Sequence, residues 1–325
     1  MKTNAMIVKE TGGPEAMSWE RIKLPKLVAG EVRLRHTMIG FNMIDTYRRK
    51  GLYPCNLPFI PGSEAAGVVE EVADDVAFLE IGDRVVYAVA DVGSYCVHRN
   101  IKADNLIKIP LGITDEVAAA CFLKGLTAWY LTHKTWKLKA GETILVYAAA
   151  GGVGTILSQW AKKLSVNVIG VVGSSKKVNV AKENGCDEVI NYSNEDIVTV
   201  VKELTHGLGV DVVYDSIGHE TFQISLDALR PRGLMVTYGN ATGIVPPIDV
   251  LELMRKGSLF LTRPTLLHYA GTRDEIIEGA DVLFRMVSSG DIKVSIHQTF
   301  ELKDAVNAHK LVESKMTTGS TIFCC

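Results

Sequence analysis

The strongest constraint on this chain is an alternation of apolar runs and helix-like segments from about residue 143 to 264. The runs are 143-TILVYAA-149, 166-VNVIGVV-172, 187-DEVINY-192, 211-DVVYDSI-217, 234-LMVTYG-239 and 258-SLFLTRP-264. Between them lie segments such as 153-VGTILSQWAKKL-164, which sets Ile156, Leu157, Trp160, Ala161 and Leu164 on one helical face. Six apolar strands alternating with helices predict an α/β fold, a doubly wound parallel six-stranded sheet. The first part of the chain has a different period. In 32-VRLRHTM-38, Val32, Leu34, His36 and Met38 alternate with Arg33, Arg35 and Thr37. With 65-AAGVVEEV-72, 83-DRVVYAV-89 and glycine turns, this predicts a small, partly open β barrel. A terminal strand, 320-STIFC-324, is placed to rejoin that barrel, so the parallel-sheet domain is read as an insertion. The expected boundaries are 124–264 for the inserted domain, with 1–123 and 265–325 forming the other.

Composition narrows the class. A chain of 325 residues, 47% hydrophobic and with a formal charge of −2, has ample core for two domains. Lys and Arg number 35 against 37 acids, so nothing global favours nucleic acid or a membrane surface. No apolar run reaches the ~20 residues of a membrane span, and no secretory signal is expected in residues 1–30. Six dispersed cysteines without a Cys-x-x-Cys suggest free thiols and a cytoplasmic setting. The Cys324–Cys325 tail is expected to be exposed.

The first inserted strand runs into 147-YAAAGGVG-154, in which Ala149, Gly151 and Gly154 follow the Gly-x-Gly-x-x-Gly spacing with alanine first. The motif gains meaning from its place between a strand and a helix. Gly151 and Gly152 let the backbone approach a pyrophosphate, Val153 opens the helix, and Gly154 allows close helix–strand packing. The helix start offers free N–H groups to the anion. The bland alternative is a glycine turn that only packs. An NAD ribose is held by an acid at the end of the second strand. Here that place holds Gly173, Ser174 and Ser175, followed by Lys176 and Lys177, and no acid appears before Glu183. Hydroxyls and an ammonium suit a 2′-phosphate, which predicts NADPH; alternatively the lysines are a solvated helix start. The remaining strand ends, Tyr192, Ser216, Tyr238-Gly239-Asn240 and Arg263, would complete one ligand-facing edge. Arg263 has the alternative of fixing a domain interface.

Several motifs, 42-NMIDTYRRKGLYP-54, 61-PGSEAAGVV-69, 82-GDRVVY-87, 124-KGLTAWYL-131, 147-YAAAGGVG-154, 189-VINY-192, 214-YDSIG-218 and 233-GLMVTYGN-240, occur in one order along the whole chain. By these the chain resembles the zinc-independent quinone oxidoreductases of the medium-chain dehydrogenase/reductase superfamily, close to bacterial NADPH:quinone reductases and zeta-crystallins. The resemblance implies a GroES-like barrel domain carrying an inserted Rossmann domain, with NADPH between them and closure over it. It also implies that Asn42, Tyr47 and Tyr53 serve the acceptor, and that Asn42, Thr46, Thr127 and Tyr130 contact the cofactor. Lys124 either joins them or bridges the domains. The alternative for the first stretch is structural: Asp45 pairs with Arg48 and Arg49, and Tyr53 is a packed turn residue. Alcohol dehydrogenases of the superfamily hold a catalytic zinc where this chain has Asn42 and Ser63, and a structural zinc needs four cysteines where only Cys96 stands. No metal is therefore expected. Without a Lewis acid, alcohol oxidation is disfavoured, while hydride transfer to a quinone needs only positioning and a hydrogen-bond donor or two.

Two rivals remain at this stage. One is reduction of activated C=C bonds in enones or enoyl thioesters on the same scaffold. The other is a non-enzymatic crystallin-like or RNA-binding role, for which the sequence shows no basic stripe. The resemblance further implies a homodimer formed through the apolar edge strand 257-GSLFLTR-263. Pocket size would be set by the loops 242-TGIVPP-247 and 266-LLHYAG-271.

Overall fold

The computed structural model describes every residue, Met1–Cys325. The chain divides into two compact units: Met1–Leu126 with Ala270–Gly290 and Val294–Cys325, and Thr127–Tyr269 with Asp291–Lys293. In the first unit the strands are β1 (Lys2–Val8), β2 (Met17–Lys23), β3 (Glu31–Gly40), β4 (Glu64–Val72), β5 (Arg84–Tyr87), β6 (His98–Lys102) and β7 (Ile107–Lys108). The second unit supplies β8 (Thr143–Tyr147), β9 (Asn167–Val172), β10 (Glu188–Asn191), β11 (Val210–Asp215), β12 (Leu229–Thr237) and β13 (Phe260–Thr262). The chain then gives β14 (Ile296–Glu301) and β15 (Ser320–Cys324) back to the first unit.

In that first unit a curved sheet runs β14-β15-β3-β4-β5-β7, with β6 also paired to β3, while β1 and β2 form a separate ribbon. The period-two pattern of β3 holds as far as His36: Val32, Leu34 and His36 are buried, and Arg33 and Arg35 pair with Glu71 and Glu70. A register shift between His36 and Met38 then changes the phase, so Met38, expected inward, is half-buried and Ile39 takes the buried place. Val32 and Leu34 join Val69, Val85, Tyr87, Tyr95, Ile101 and Phe323 in one core, each contributing about 1.5–3 kcal/mol by burial. At the end of β3, Gly40 pairs with Glu64 and the chain turns into α1 (Met43–Arg49). Asn42 and Asp45 form a capping box there. The second helix, α2, spans Asp115–Tyr130.

The second unit holds a six-stranded, wholly parallel sheet in the order β10-β9-β8-β11-β12-β13. The order reverses between β8 and β11, which makes their carboxyl ends the ligand-binding crevice of such a sheet. Helices α3 (Gly152–Lys163), α4 (Ser175–Glu183), α5 (Ile197–Leu204), α6 (Phe222–Ala228) and α7 (Val250–Arg255) follow successive strands. On α3, Ile156, Leu157, Trp160 and Ala161 of the expected face are buried, together with Gly154, Thr155 and Ser158, while Leu164 is the half-buried C-cap.

Element ends depart from expectation where local signals misled. β12 begins at Leu229, five residues before the run at 234, because Pro231 and Gly233 read as a turn although Leu229 pairs with Val210 across a bulge. β13 is only Phe260–Thr262, since it has a neighbour on one side alone. Residues 266–271 are not a plain loop: Leu266–Tyr269 form one helical turn, α8. The tail is exposed only at Cys325, since Cys324 is half-buried in β15; none of the six cysteines is paired.

Candidate active site

In the parallel-sheet unit, the glycine loop fits a phosphate. Gly151 is the N-cap of α3 and makes no side-chain cap hydrogen bond, so the first-turn amides of Gly152, Val153 and Gly154 are left to a ligand. A Cβ at Gly154 would stand 2.3 Å from the Ala148 carbonyl oxygen and 2.8 Å from the Ala149 Cα, so only glycine fits. A second uncapped helix start lies at the end of the neighbouring strand, where Ser174 is the N-cap of α4. Ser175 there accepts a hydrogen bond from the Asn191 amide at 3.3 Å. Burial lowers the Lys177 pKa from its ordinary value, a cost that an anion bound beside it would offset. Tyr192 packs across Gly173: its hydroxyl would be 2.6 Å from a Cβ at that position, while the Ser193 hydroxyl donates to the Gly173 carbonyl at 2.9 Å. Gly151, Gly152, Val153 and Gly154 thus sit with Gly173, Ser174, Ser175, Lys177 and Tyr192 on three adjacent strand ends. Across the switch point, Ser216 follows β11, Tyr238, Gly239 and Asn240 follow β12, and the Arg263 guanidinium after β13 donates to the Gly239 carbonyl at 3.2 Å. Tyr130, almost fully buried, stacks on Tyr269 with ring centres 4.8 Å apart, and Thr127 lies one turn earlier on α2.

The barrel unit gathers a second polar group. Glu64 is fully buried and accepts from the Asn42 amide at 2.8 Å, the Leu123 N–H at 2.6 Å and the Lys124 ammonium at 3.2 Å. Lys124 is accordingly a partner of Glu64. Gly40 is required beside this carboxylate, because a Cβ there would lie 2.3 Å from Glu64 Oε2 and 2.2 Å from the Ala119 carbonyl oxygen. Asp45 accepts from the Ser63 hydroxyl at 2.6 Å and the Asn42 N–H at 3.0 Å. Burial raises its pKa to about 6. The simple pairing of Asp45 with two arginines does not form. Arg48 donates instead to Ser63 at 2.7 Å, and the buried Arg49 pairs with Glu313. Tyr47 is buried, Tyr53 is half-buried, and their rings meet edge-on at 5.5 Å. Thr46 turns its hydroxyl back to the Met43 carbonyl at 2.7 Å.

These side chains do not fit a zinc ion. The amide of Asn42 is engaged with Glu64 and the hydroxyl of Ser63 with Asp45 and Arg48. No three His, Cys, Asp or Glu side chains come together as a ligand set.

Sequence reasoning passed over Glu64 and Asp215, both fully buried. Each is an acid set directly against an apolar run, Glu64 before Ala65-Ala66 and Asp215 after Val212-Val213-Tyr214. An acid so placed must be buried with partners, and that was the available signal.

Comparison with known proteins accords with this anatomy. A family model described as alcohol dehydrogenase GroES-like domain matches residues 28–141, and one described as zinc-binding dehydrogenase matches residues 152–285. The chain is 45% identical to a 2-haloacrylate reductase of a Burkholderia species over 98% of both proteins. It is 46% identical to quinone oxidoreductase 1 of Escherichia coli (strain K12) over 96% of both. Among solved structures, that of the Escherichia coli quinone oxidoreductase complexed with NADPH matches with a TM-score of 0.97 at 44% identity, covering 99% of this chain and 100% of the other. The chain belongs to the quinone oxidoreductase family of the medium-chain dehydrogenase/reductases.

Proposed function

We propose that this protein is an NADPH:quinone oxidoreductase that works without a metal. The observation that carries the reading is the pair of uncapped helix starts on adjacent strand ends, one lined by Gly151–Gly154 and the other by Ser174, Ser175 and Lys177, with no acid in the sequence from Gly173 until Glu183. The first suits a pyrophosphate and the second a 2′-phosphate, which an NAD-type acid would repel. Tyr192 flanks the second site, and Ser216, Tyr238, Gly239, Asn240 and Arg263 extend the edge toward the rest of the cofactor, with Thr127 and Tyr130 as further contacts.

NADPH supplies the hydride. The chain's part is to bind, orient and donate hydrogen bonds. Tyr47 and Tyr53 offer aromatic faces and phenolic O–H groups to a flat conjugated acceptor. Asn42 and Thr46 stand on the same α1 segment, and Glu64 sets the orientation of the Asn42 amide. Metal independence is supported by what occupies the would-be ligand positions, an amide and a hydroxyl engaged in hydrogen bonds.

A second reading is favoured by one specific observation, the 45% identity to a 2-haloacrylate reductase. In it, the acceptor is a C=C bond conjugated to a carbonyl: hydride from NADPH would leave an enolate, and the phenol of Tyr53 would give its proton to the enolate carbon and be reprotonated from water. The proposal also includes a homodimer through β13, where Phe260 is 56% exposed on an unpaired edge. A cytoplasmic setting is consistent with six free thiols.

The test is NADPH and NADH consumption in parallel, by chelator-treated protein, with a panel of quinones, enones and 2-haloacrylates. Fast quinone-dependent NADPH oxidation that is insensitive to chelator, with slow NADH oxidation, is expected. Lys177→Glu should lower kcat/KM for NADPH by about 10-fold or more while sparing NADH. Equal use of both cofactors by the unmodified protein would refute the phosphate-site reading, and a preference for acrylates would move the function to alkene reduction.

A further inference from the structure

The carboxylate of Asp215 stands at the carboxyl end of β11, beside β8, at the place where the strand order reverses. It is completely buried and makes four hydrogen bonds to neutral donors. Oδ1 accepts from the N–H groups of Ile217 at 2.7 Å and Gly218 at 3.1 Å. Oδ2 accepts from the hydroxyls of Thr221 at 2.7 Å and Ser225 at 2.9 Å. Tyr147, the last residue of β8, lies alongside Ser225 and Asp215. No cation pairs with this carboxylate. Burying an acid in this way is costly unless every lone pair is used, and here the acid binds both the turn that follows its own strand and the helix α6 that the turn enters.

That turn is joined to the next loop. Thr242 donates to the Ile217 carbonyl from its N–H at 2.9 Å and from its hydroxyl at 3.1 Å. The N–H of His219 donates to Gly243 at 3.2 Å, and the N–H of Glu220 to the Thr242 hydroxyl at 3.2 Å. Tyr238 donates its N–H to the Asp215 carbonyl at 2.8 Å. The approach is so close that a Cβ at Gly239 would stand 2.2 Å from the Ser216 carbonyl oxygen. From the far side, Arg263 grips the Gly239 carbonyl. The ends of β11 and β12 therefore form one rigid piece, and Asp215 is its internal anchor.

We propose that Asp215 is a positioning residue for the cofactor: it holds the Ser216–Gly218 turn, and through it the Tyr238–Gly243 loop, in the form that receives NADPH. The inference rests on the reading above that this edge binds NADPH. It adds a residue that touches no ligand and acts through the backbone of those that do. A shift of about 1 Å in such a platform costs up to ~100-fold.

The experiment measures NADPH dissociation constants by fluorescence titration, KM values for NADPH and quinone, and thermal unfolding. Asp215→Ala should stay folded, raise the NADPH Kd by about 10-fold or more and leave the quinone KM unchanged. Asp215→Asn should recover most of the affinity. Its amide oxygen still accepts from both backbone N–H groups, and the two hydroxyls can turn to accept from its nitrogen. Should Asp215→Ala fail to fold, the Thr221→Val/Ser225→Ala pair removes the α6 side of the anchor alone and should raise the NADPH Kd without moving the quinone KM. An unchanged Kd in folded Asp215→Ala, or in the double variant, overturns the proposal, as does an Asn variant as weak as the Ala variant. Failure of the unmodified protein to bind NADPH would instead overturn the cofactor reading itself.

Discussion

Lowering the pH should loosen the barrel unit by an amount set chiefly by two buried histidines. His36 donates from Nδ1 to the Cys96 carbonyl at 2.7 Å and accepts at Nε2 from the Tyr87 hydroxyl at 3.0 Å. His309 is packed edge-on against Phe41 and Tyr95, and its Nδ1 has no partner. Burial lowers both pKa values from 6.5 to about 3. Such a group is neutral in the fold, so its contribution is complete above pH 6.5 and is lost as the pH falls toward 3, because the unfolded chain binds the proton first. Between pH 8 and pH 5, each histidine removes about 2 kcal/mol. Asp45 acts in the opposite direction: burial raises its pKa from 3.8 to about 6, so the folded form binds the proton first and gains about 1 kcal/mol over the same interval. The net loss is about 3 kcal/mol. Amide exchange of β3 and β15, corrected for the intrinsic rate at each pH, reads this difference directly. In His309→Gln the loss between pH 8 and pH 5 should shrink to about 1 kcal/mol, whatever the variant's absolute stability. Equal losses in the two proteins would refute the assignment of acid sensitivity to His309.

Three further outcomes are expected. Gly154→Ala drives a Cβ to 2.3 Å from a backbone oxygen and should cost about 1–3 kcal/mol in thermal stability while weakening NADPH binding. Glu64→Ala leaves the Lys124 ammonium, 5% exposed, without its counter-charge, and urea unfolding should register a loss of about 3–5 kcal/mol. Phe260→Lys at the β13 edge should turn the expected dimer into a monomer on size-exclusion chromatography with light scattering; an unchanged mass would place the interface elsewhere.

What the sequence made legible, and what it hid, follows from the range of each interaction. The six-strand sheet was readable because each strand carries an apolar run, and the strand–glycine–helix transition at 147–154 is a local event. The helix start at Ser174 and Ser175 was readable for the same reason, since it is written in consecutive residues. Tyr192 was within reach because strand order follows from chain order in a doubly wound sheet, and β10 indeed neighbours β9. The polar interior was not readable. The partners of Glu64 lie 22 and 60 residues away in the chain, and Arg49 finds Glu313 across 264. No period or spacing encodes such pairs. Even so, their presence was implied: a chain that buries Glu64 and Asp215 among apolar neighbours must supply donors to each, and in each unit the donors lie next to residues proposed to bind. Asn42 and Lys124 serve Glu64, and Ile217 and Gly218 serve Asp215. In each unit a buried acid fixes the backbone or amide beside the proposed binding residues, so an acid that interrupts an apolar run is itself a pointer to the site.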